Sequence, residues 1–213
     1  MSAYDLEEQE QLAELKAYWK QWGGTIVLAL AAALVTVAGF RGWSWYQGSQ
    51  AVEASAIYAA LQKAAAANDA RTTREEGGKL IEQYPRSLYA ALGALIVAKQ
   101  HFESGDLKTA RAQLQWVVDR ARDPELQAIA RLRLANVMLD EKAYDDALKV
   151  IAEKPPAPFE PQFDEMRGDV LVAQGKGADA RAAYEAALAK LRPEDEAARE
   201  LVQMKLDGLG AAR

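Results

Sequence analysis

Twenty consecutive residues without a formal charge, numbers 21–40, separate Lys20 from Arg41 near the beginning of the chain. A helix rises about 1.5 Å per residue, so twenty helical residues span roughly 30 Å, the thickness of the hydrocarbon core of a bilayer. Lipid offers the backbone no hydrogen bonds, so a segment that crosses it must satisfy its own amides as a helix. This stretch therefore predicts one transmembrane helix, at residues 22–45.

Aromatic side chains stand at both ends of this segment. Trp19 and Trp22 lie on one side of it, and Trp43, Trp45 and Tyr46 lie on the other. Such amphipathic rings prefer the headgroup level of a membrane, so these five residues are predicted to mark the two membrane interfaces. A helix buried in a soluble core would not need aromatic belts and charges at both boundaries, which disfavours that interpretation.

A cleaved signal peptide is the alternative that the residues leave open. Lys20 precedes the apolar stretch, and the small residues Ser49 and Ala51 are compatible with a cleavage site. Against cleavage, the region before the stretch is long and acidic, and the stretch exceeds the length of a typical signal core. These features favour a retained anchor.

The basic residues beside the segment give an indication of topology. Lys16 and Lys20 precede it, whereas Arg41 is the only basic residue among residues 41–60. By the positive-inside rule, this difference of one charge places the N-terminus in the cytoplasm and the rest of the chain outside it. The predicted division is a short cytoplasmic segment at residues 1–21, the transmembrane helix at 22–45 and one domain at 46–213.

The predicted domain is mildly acidic and contains no cysteine. Its 26 acidic and 23 basic side chains give it a net charge near −3, and the whole chain has a net charge of −5. This balance leaves no excess of basic residues with which to bind the phosphates of a nucleic acid, so no nucleic-acid partner is predicted. The absence of cysteine excludes disulfides, thiolate catalysis and zinc–thiolate sites.

Three alanines mark a repeated pattern within the domain. Ala110, Ala147 and Ala180 are 37 and 33 residues apart, each with a small residue twelve positions earlier and a large residue four positions later. Alanine-rich segments between short turn clusters, among them Gly77-Gly78, indicate helices, and no period of two supports a sheet. The spacing resembles the tetratricopeptide repeat (TPR), a helix–turn–helix unit. The predicted fold is all-α, a transmembrane helix followed by a TPR-like helical-repeat (α-solenoid) domain of about three to four helix pairs; a generic helical bundle is the alternative.

The chain as a whole resembles the YfgM family, the ancillary subunit of the SecYEG translocon. The likeness rests on the acidic N-terminus, on the single anchor that ends in Arg41-Gly-Trp-Ser-Trp-Tyr46, and on the degenerate repeats that follow. The supporting segments within the domain are residues 87–92, 108–114, 131–135, 166–169 and 203–209. The resemblance extends over nearly the full length.

This resemblance implies a single-pass type II protein of the cell inner membrane, with the C-terminal domain in the periplasm. It implies association with the SecYEG translocon and with the membrane-anchored periplasmic chaperone PpiD. It also implies a role in passing unfolded secretory or outer-membrane polypeptides to periplasmic chaperones, without ATP or a cofactor. The alternative function is a membrane-tethered TPR scaffold for an envelope-assembly or cell-division complex.

No arrangement of residues in the sequence points to catalysis. His101 is the only histidine, and it falls where the first helix of a repeat has a packing aromatic. General acid–base catalysis needs a positioned partner, which the sequence does not identify. The carboxylate runs at residues 145–146 and 194–196 fit helix N-termini, where negative charge is favourable. We therefore predict a non-enzymatic protein with no catalytic, cofactor or metal site.

The remaining candidate site is a protein-binding surface. In stacked helix pairs the first helix of each pair lines a concave face. Projection of two such helices selects six candidates: Lys99, Phe102, Glu103, Asn136, Leu139 and Asp140. Phe102 and Leu139 are equally interpretable as core residues. The terminal-carboxylate clamp of some cytosolic repeat proteins needs lysines where this chain has Leu95 and Leu132, so that binding mode is not expected.

Overall fold

The computed structural model describes residues 3–210 and is built from helices. In chain order they are α1 (Ala3–Ala66), α2 (Ala70–Gln83), α3 (Leu88–Glu103), α4 (Leu107–Arg120), α5 (Pro124–Asp140), α6 (Tyr144–Val150), α7 (Glu160–Ala173), α8 (Gly177–Lys190) and α9 (Glu196–Gly208), with a short 3-10 helix at Ala157–Phe159. The side chains of residues 3–10, 14, 46 and 47 lie outside this description. Residues 3–210 contain no strand, which confirms the all-α fold class.

The chain divides into two compact units, the N-terminal unit (Met1–Val52) and the helical domain (Glu53–Arg213). In the N-terminal unit the large apolar side chains of α1 are exposed; Val35 and Phe40 are both 73% exposed. An apolar surface of this extent needs apolar surroundings. Among the described residues, α1 is the one helix that is long and apolar enough to cross a membrane. The helix does not break at residue 45 and continues to Ala66.

In the helical domain, each helix from α2 to α9 packs against the next one in the chain. The helices α3 and α5 also contact each other, as do α5 and α7. This is the arrangement of stacked helix pairs, in which each pair contacts its neighbours. We call α3–α4 the first repeat, α5–α6 the second repeat and α7–α8 the third repeat.

Small residues lie where the two helices of a repeat pack together. Ala110, Ala147 and Ala180 are all 0% exposed. The small residues twelve positions earlier in each repeat are buried as well: Ala98, Ala135 and Gly168. The register that the alanine spacing predicts is therefore confirmed.

A residue with positive φ occupies the turn between the two helices of every pair. These residues are Asn68 (φ 54°), Gly105 (80°), Lys142 (60°) and Gly175 (74°). Asn68 precedes Gly105 by 37 residues, the same interval that separates Gly105 from Lys142. The last part of α1 and α2 therefore form a further helix pair in register before the first repeat. Lys142 is strained, because glycine adopts this conformation freely and a residue with a Cβ does not.

The interpretation of Gly77-Gly78 as a turn is wrong, because both residues lie inside α2. A Cβ atom on Gly77 would lie 2.4 Å from Cγ2 of Val97 in α3. Glycine is needed here for the close approach of two helices and not for a turn. The sequence alone does not distinguish these two uses of glycine.

The link between α6 and α7, residues 151–159, contains Pro155, Pro156 and Pro158, and α6 before it has only seven residues. Arg131 of α5 holds this link, because its buried guanidinium donates to the backbone carbonyl and to the carboxylate of Glu153, both at 3.2 Å. The same guanidinium lies 5.2 Å from the ring centroid of Phe163 in α7, within the range of a cation–π contact. The link is therefore fixed to the core at both ends.

The third repeat is tied to α9 by a polar network. A Cβ on Gly168 would lie 2.3 Å from Cε1 of Tyr184, so the tyrosine ring fills the space beside this glycine. The Tyr184 hydroxyl donates to Asp169 Oδ1 at 2.7 Å, and burial together with this bond raises the pKa of Tyr184 above its usual range. From α9, Lys205 donates to Asp169 Oδ2 at 2.7 Å and to Glu165 Oε1 at 2.6 Å. The carboxylates of Asp169 and Glu165 on α7 therefore already bind side chains of α8 and α9 within the domain.

Candidate functional site

A groove of about 280 Å³ opens between α3 and α5, the first helices of the first and second repeats. Its lining residues come from three helices: Ala98, Lys99 and Phe102 from α3, Leu114 from α4, and Arg133, Asn136 and Val137 from α5. The contributions of Ala98, Leu114 and Val137 are buried and apolar, so they form its floor. Lys99, Arg133 and Asn136 are exposed and form a polar rim.

Three of the six residues that the sequence selects line this groove, namely Lys99, Phe102 and Asn136. The other three do not line it. Glu103 is paired with Lys99, Leu139 is partly buried against the main core, and Asp140 is exposed. The structure thus brings α3 and α5 candidates together, and the assignment of all six residues to a binding surface stays a prediction.

The sequence reasoning missed Arg133, which is the second cation of the rim. The signal was present, because Arg133 precedes Asn136 by three residues and Val137 by four, a spacing that places all three on one helix face. The projection of this helix selected Asn136, Leu139 and Asp140 and left Arg133 out.

The rim is rich in hydrogen-bond donors without strong partners. Lys99 Nζ lies 3.5 Å from Glu103 Oε1, and both side chains are more than half exposed, so this pair is weak. Arg133 and Asn136 form no ion pair or side-chain hydrogen bond within the described part of the chain. An extended peptide presents free backbone carbonyls, which these donors suit.

One apolar position recurs along the first helices of the three repeats. Phe102 in α3, Leu139 in α5 and Val172 in α7 are 37 and 33 residues apart, the same intervals as the buried alanines. Phe102 and Leu139 pack partly against the core, whereas Val172 is 41% exposed. Phe102 is the one of the three that lines the groove.

His101 lies next to the groove residues in sequence but forms a turn contact. Its Nδ1 lies 3.0 Å from Asp106 Oδ2, and Asp106 caps α4 by accepting the backbone N–H of Thr109 at 3.1 Å. The hydrogen bonds from Thr109 hold the pKa of Asp106 below its ordinary value, with a smaller contribution from His101. The Asp106 carboxylate therefore caps the N-terminus of α4. This role explains its contact with His101 without a catalytic function.

In the N-terminal unit, Trp19, Trp22, Trp43 and Trp45 are 58%, 48%, 60% and 76% exposed. They are side chains of one helix, and Trp22 and Trp43 are separated by about 32 Å of helix rise. This distance matches the hydrocarbon thickness of a bilayer. The side chain of Tyr46, the fifth predicted interface residue, lies outside the described residues.

Comparison with known proteins places these features in a family. A family model described as a tetratricopeptide repeat-like domain matches residues 16–211. A protein of Neisseria gonorrhoeae is 37% identical over 97% of this chain and 99% of its own length. A Haemophilus influenzae protein is 27% identical over 97% of this chain and all of its own length, and an Escherichia coli protein is 27% identical over 95% and 96%. All three relatives are named ancillary SecYEG translocon subunit.

Proposed function

The chain belongs to the family of ancillary SecYEG translocon subunits, the YfgM family, and on this basis we propose that it is a translocon-associated membrane protein whose helical domain binds other polypeptides. Residues 22–45 are the anchor, with the tryptophans at the two interfaces. Residues 1–21 lie in the cytoplasm, and residues 46–213 form the periplasmic domain. This is the type II topology that the flanking basic residues favour.

The groove between α3 and α5 is the observation that carries the proposal. Its volume of about 280 Å³ is roughly nine times that of one liquid water, enough for one or two side chains but not for a folded element. The apolar floor of the groove binds one apolar side chain of an extended polypeptide segment. The half-buried ring of Phe102 packs against that side chain. The donors of Lys99, Arg133 and Asn136 bind carbonyls of the same segment.

Binding at such a small site is weak and reversible, which suits a protein that passes its ligand on. Little apolar area is buried, and association must overcome the loss of translational and rotational freedom. We infer that unfolded secretory or outer-membrane polypeptides occupy the groove briefly after leaving the translocon. A periplasmic chaperone of the PpiD type then receives them. No step needs a nucleotide, a cofactor or a catalytic residue.

Site-specific photocrosslinking in the native membrane tests the proposal. A photoreactive amino acid replaces Phe102 in the groove or Trp45 at the membrane interface, and the captured proteins are identified by mass spectrometry. Translocon subunits captured at Trp45, with a periplasmic chaperone or secretory polypeptides at Phe102, are the expected result. Capture of only a division or cell-wall protein at both positions would favour the scaffold function instead.

The topology is tested separately, and the absence of cysteine makes this experiment simple. Leu12→Cys and Met204→Cys each introduce one thiol at an exposed position, 55% and 66% exposed in the parent chain. A maleimide that crosses only the outer membrane should label the residue 204 variant in intact cells and the residue 12 variant only after the inner membrane is opened. The reverse pattern would contradict the proposed orientation.

A further inference from the structure

A second pocket, of about 210 Å³, lies where the α2–α3 and α4–α5 connections meet. Three arginines line it: Arg86 before α3, Arg120 at the end of α4 and Arg122 before α5. Apolar atoms of Leu88 and Trp116 complete its wall. None of these residues belongs to the groove.

The three arginines are unusual within the helical domain. Most other arginines donate to a carboxylate or a backbone carbonyl; Arg71 donates to Glu75 at 2.8 Å, and Arg111 donates to Glu141 at 2.9 Å. In the part of the chain that the structure describes, Arg86, Arg120 and Arg122 have no hydrogen bond or ion pair of this kind. Their guanidinium groups remain available for an external anion.

The one acidic residue in the lining does not bind these arginines. Asp123 is the N-cap of α5 and accepts the backbone N–H groups of Glu125 and Leu126 at 2.8 and 3.2 Å. With three cations and one carboxylate, the lining has a net charge of +2, although the domain as a whole is acidic. A guanidinium group offers several donors in a fixed fork, which suits the oxygen atoms of a phosphate.

The pocket also has an apolar component. Leu88 is 53% exposed, and Trp116 is half-buried between two parts of the core. Cationic side chains beside exposed aliphatic and aromatic groups match the composition of protein surfaces at the membrane interface. The ligand that fits this combination is an amphiphile with an anionic headgroup.

The pocket lies at the end of the helical domain at which that domain begins. Tyr84, two residues before Arg86, donates its hydroxyl to Glu53 Oε2 at 2.7 Å. Glu53 is the first residue of the helical domain, where the chain arrives from the apolar segment. Because the helices alternate in direction, α2 and α4 end where α3 and α5 begin, so both arginine-bearing connections lie at this same end of the domain.

We propose that Arg86, Arg120 and Arg122 bind the phosphate headgroup of an anionic phospholipid, with Leu88 and Trp116 against the first carbons of its acyl chains. The pocket of about 210 Å³ holds one headgroup, and the exposed Leu88 and half-buried Trp116 beside the arginines favour an amphiphile over an acidic side chain. The membrane segment of the same chain keeps lipid headgroups at a high effective concentration. The bound lipid would orient the helical domain relative to the bilayer, independently of what the groove binds.

Photolabelling of the full-length protein in lipid nanodiscs tests this site. The probe is phosphatidylglycerol with a diazirine on its headgroup, and the labelled peptides are identified by mass spectrometry. The expected labels fall within residues 84–92 and 116–126. In the triple variant Arg86→Gln, Arg120→Gln, Arg122→Gln, the labelling should fall by a factor of about ten or more. Each basic residue contributes to anionic-lipid binding.

A matched control removes the same charge elsewhere: the triple variant Arg71→Gln, Arg74→Gln, Arg192→Gln changes three exposed arginines outside the pocket. Its labelling should equal that of the parent protein. Circular dichroism checks that both triple variants are folded, and Arg122→Gln alone provides a milder change that should still reduce labelling.

Three results would overturn the proposal. Equal labelling by a photoreactive phosphatidylcholine would show that the negative headgroup is not recognised. Undiminished labelling of the pocket triple variant would show that the arginines do not bind it. Loss of labelling on addition of glycerol phosphate or of polyglutamate, at concentrations that leave bulk lipid labelling unchanged, would assign the site to a soluble phosphate or to an acidic polypeptide.

Discussion

The first and third repeats have the same helix–turn–helix backbone, but the equivalent positions of their first helices have different roles. Lys99 of α3 lies on the rim of the groove, and its partner is the exposed Glu103. The equivalent residue of α7 is Asp169, which accepts hydrogen bonds from Tyr184 and Lys205. One position therefore faces an open groove in the first repeat and is enclosed by α8 and α9 in the third.

This difference shows what a repeat register does and does not determine. The register fixes where a side chain lies on the solenoid, and the neighbouring helices decide whether its polar groups are already satisfied. The last helix, α9, covers part of the third repeat, as expected of a terminal capping element. The first two repeats keep unsatisfied donors, which is why we assign binding to them.

The largest losses of stability should come from larger side chains at the points where the two helices of a repeat pack closely. Both repeats have such a point. Ala110→Leu and Ala180→Leu add carbon atoms at positions that are 0% exposed, so each should lower the free energy of unfolding by about 1–3 kcal/mol. Thermal unfolding of the full-length protein in detergent, followed by circular dichroism, measures this. Ala112→Leu, on the exposed side of α4, is the matched control. An unchanged melting temperature for Ala110→Leu would contradict the register.

Gly168→Ala sharpens the comparison, because only the third repeat has tyrosine four residues after its buried alanine. The added methyl group would lie 2.3 Å from the Tyr184 ring, and we expect a loss of about 1–2 kcal/mol after the better helix propensity of alanine is included. In the double variant with Tyr184→Leu, the third repeat acquires the alanine–leucine pair of the first repeat. Tyr184→Leu alone loses the hydrogen bond to Asp169, so the comparison is made in that background. There Gly168→Ala should cost little, and an equal cost in both backgrounds would show that the two residues are not coupled.

Lys205→Met removes the two hydrogen bonds by which α9 joins the polar network of the third repeat. The Lys205 side chain is only 29% exposed and its ammonium group has two carboxylate partners, so we expect a loss of about 1 kcal/mol. Burial lowers the pKa of Lys205, but the hydrogen bonds to Asp169 and Glu165 outweigh it and raise the pKa above its ordinary value of 10.5. This contribution is thus complete below pH 10.5 and disappears as the pH rises through the raised pKa. Unfolding of parent and variant at pH 8 and pH 11.5 should show the difference shrinking, and a constant difference would exclude a role for the charge.

The smallest effect concerns the turn of the second repeat, which has lysine where the first and third have glycine. Lys142→Gly should raise the free energy of unfolding by about 0.5–1 kcal/mol, because glycine adopts the observed φ of 60° without a steric penalty. Gly105→Ala, at the equivalent turn with φ 80°, should have the opposite effect. The same melting experiment compares both variants, and a destabilising Lys142→Gly would show that the lysine side chain contributes more than its backbone costs.

Much of the fold follows from local sequence spacing. Ala110, Ala147 and Ala180 reveal the repeat because each one must allow two helices to approach at the same point of its unit. The twenty uncharged residues reveal α1 for a different reason, since composition alone decides whether a helix tolerates lipid. One signal is a regular spacing along the chain, and the other is the composition of one continuous segment, so neither requires knowledge of how the helices stack.

The sites were harder to predict, because they depend on residues that meet only after the helices stack. Arg86 and Arg120 are 34 residues apart, and no sequence pattern shows that both line one pocket. Whether Gly77 serves a turn or a close contact depends on Val97 in another helix. Lys99 and Asp169 occupy equivalent positions, and only the presence of Lys205 and Tyr184 shows that Asp169 is already bound.

The most direct test of the account compares polypeptide binding by the first and third repeats. Full-length protein in detergent is titrated into a fluorescently labelled unfolded outer-membrane polypeptide, and anisotropy gives the Kd. Phe102→Ala should weaken binding by about tenfold, as expected for a central aromatic contact, whereas Val172→Ala at the equivalent position of α7 should leave it unchanged. Asn136→Ala, an exposed change, should weaken binding without altering the melting temperature. If Val172→Ala weakens binding as much as Phe102→Ala does, the groove between α3 and α5 is not the binding site.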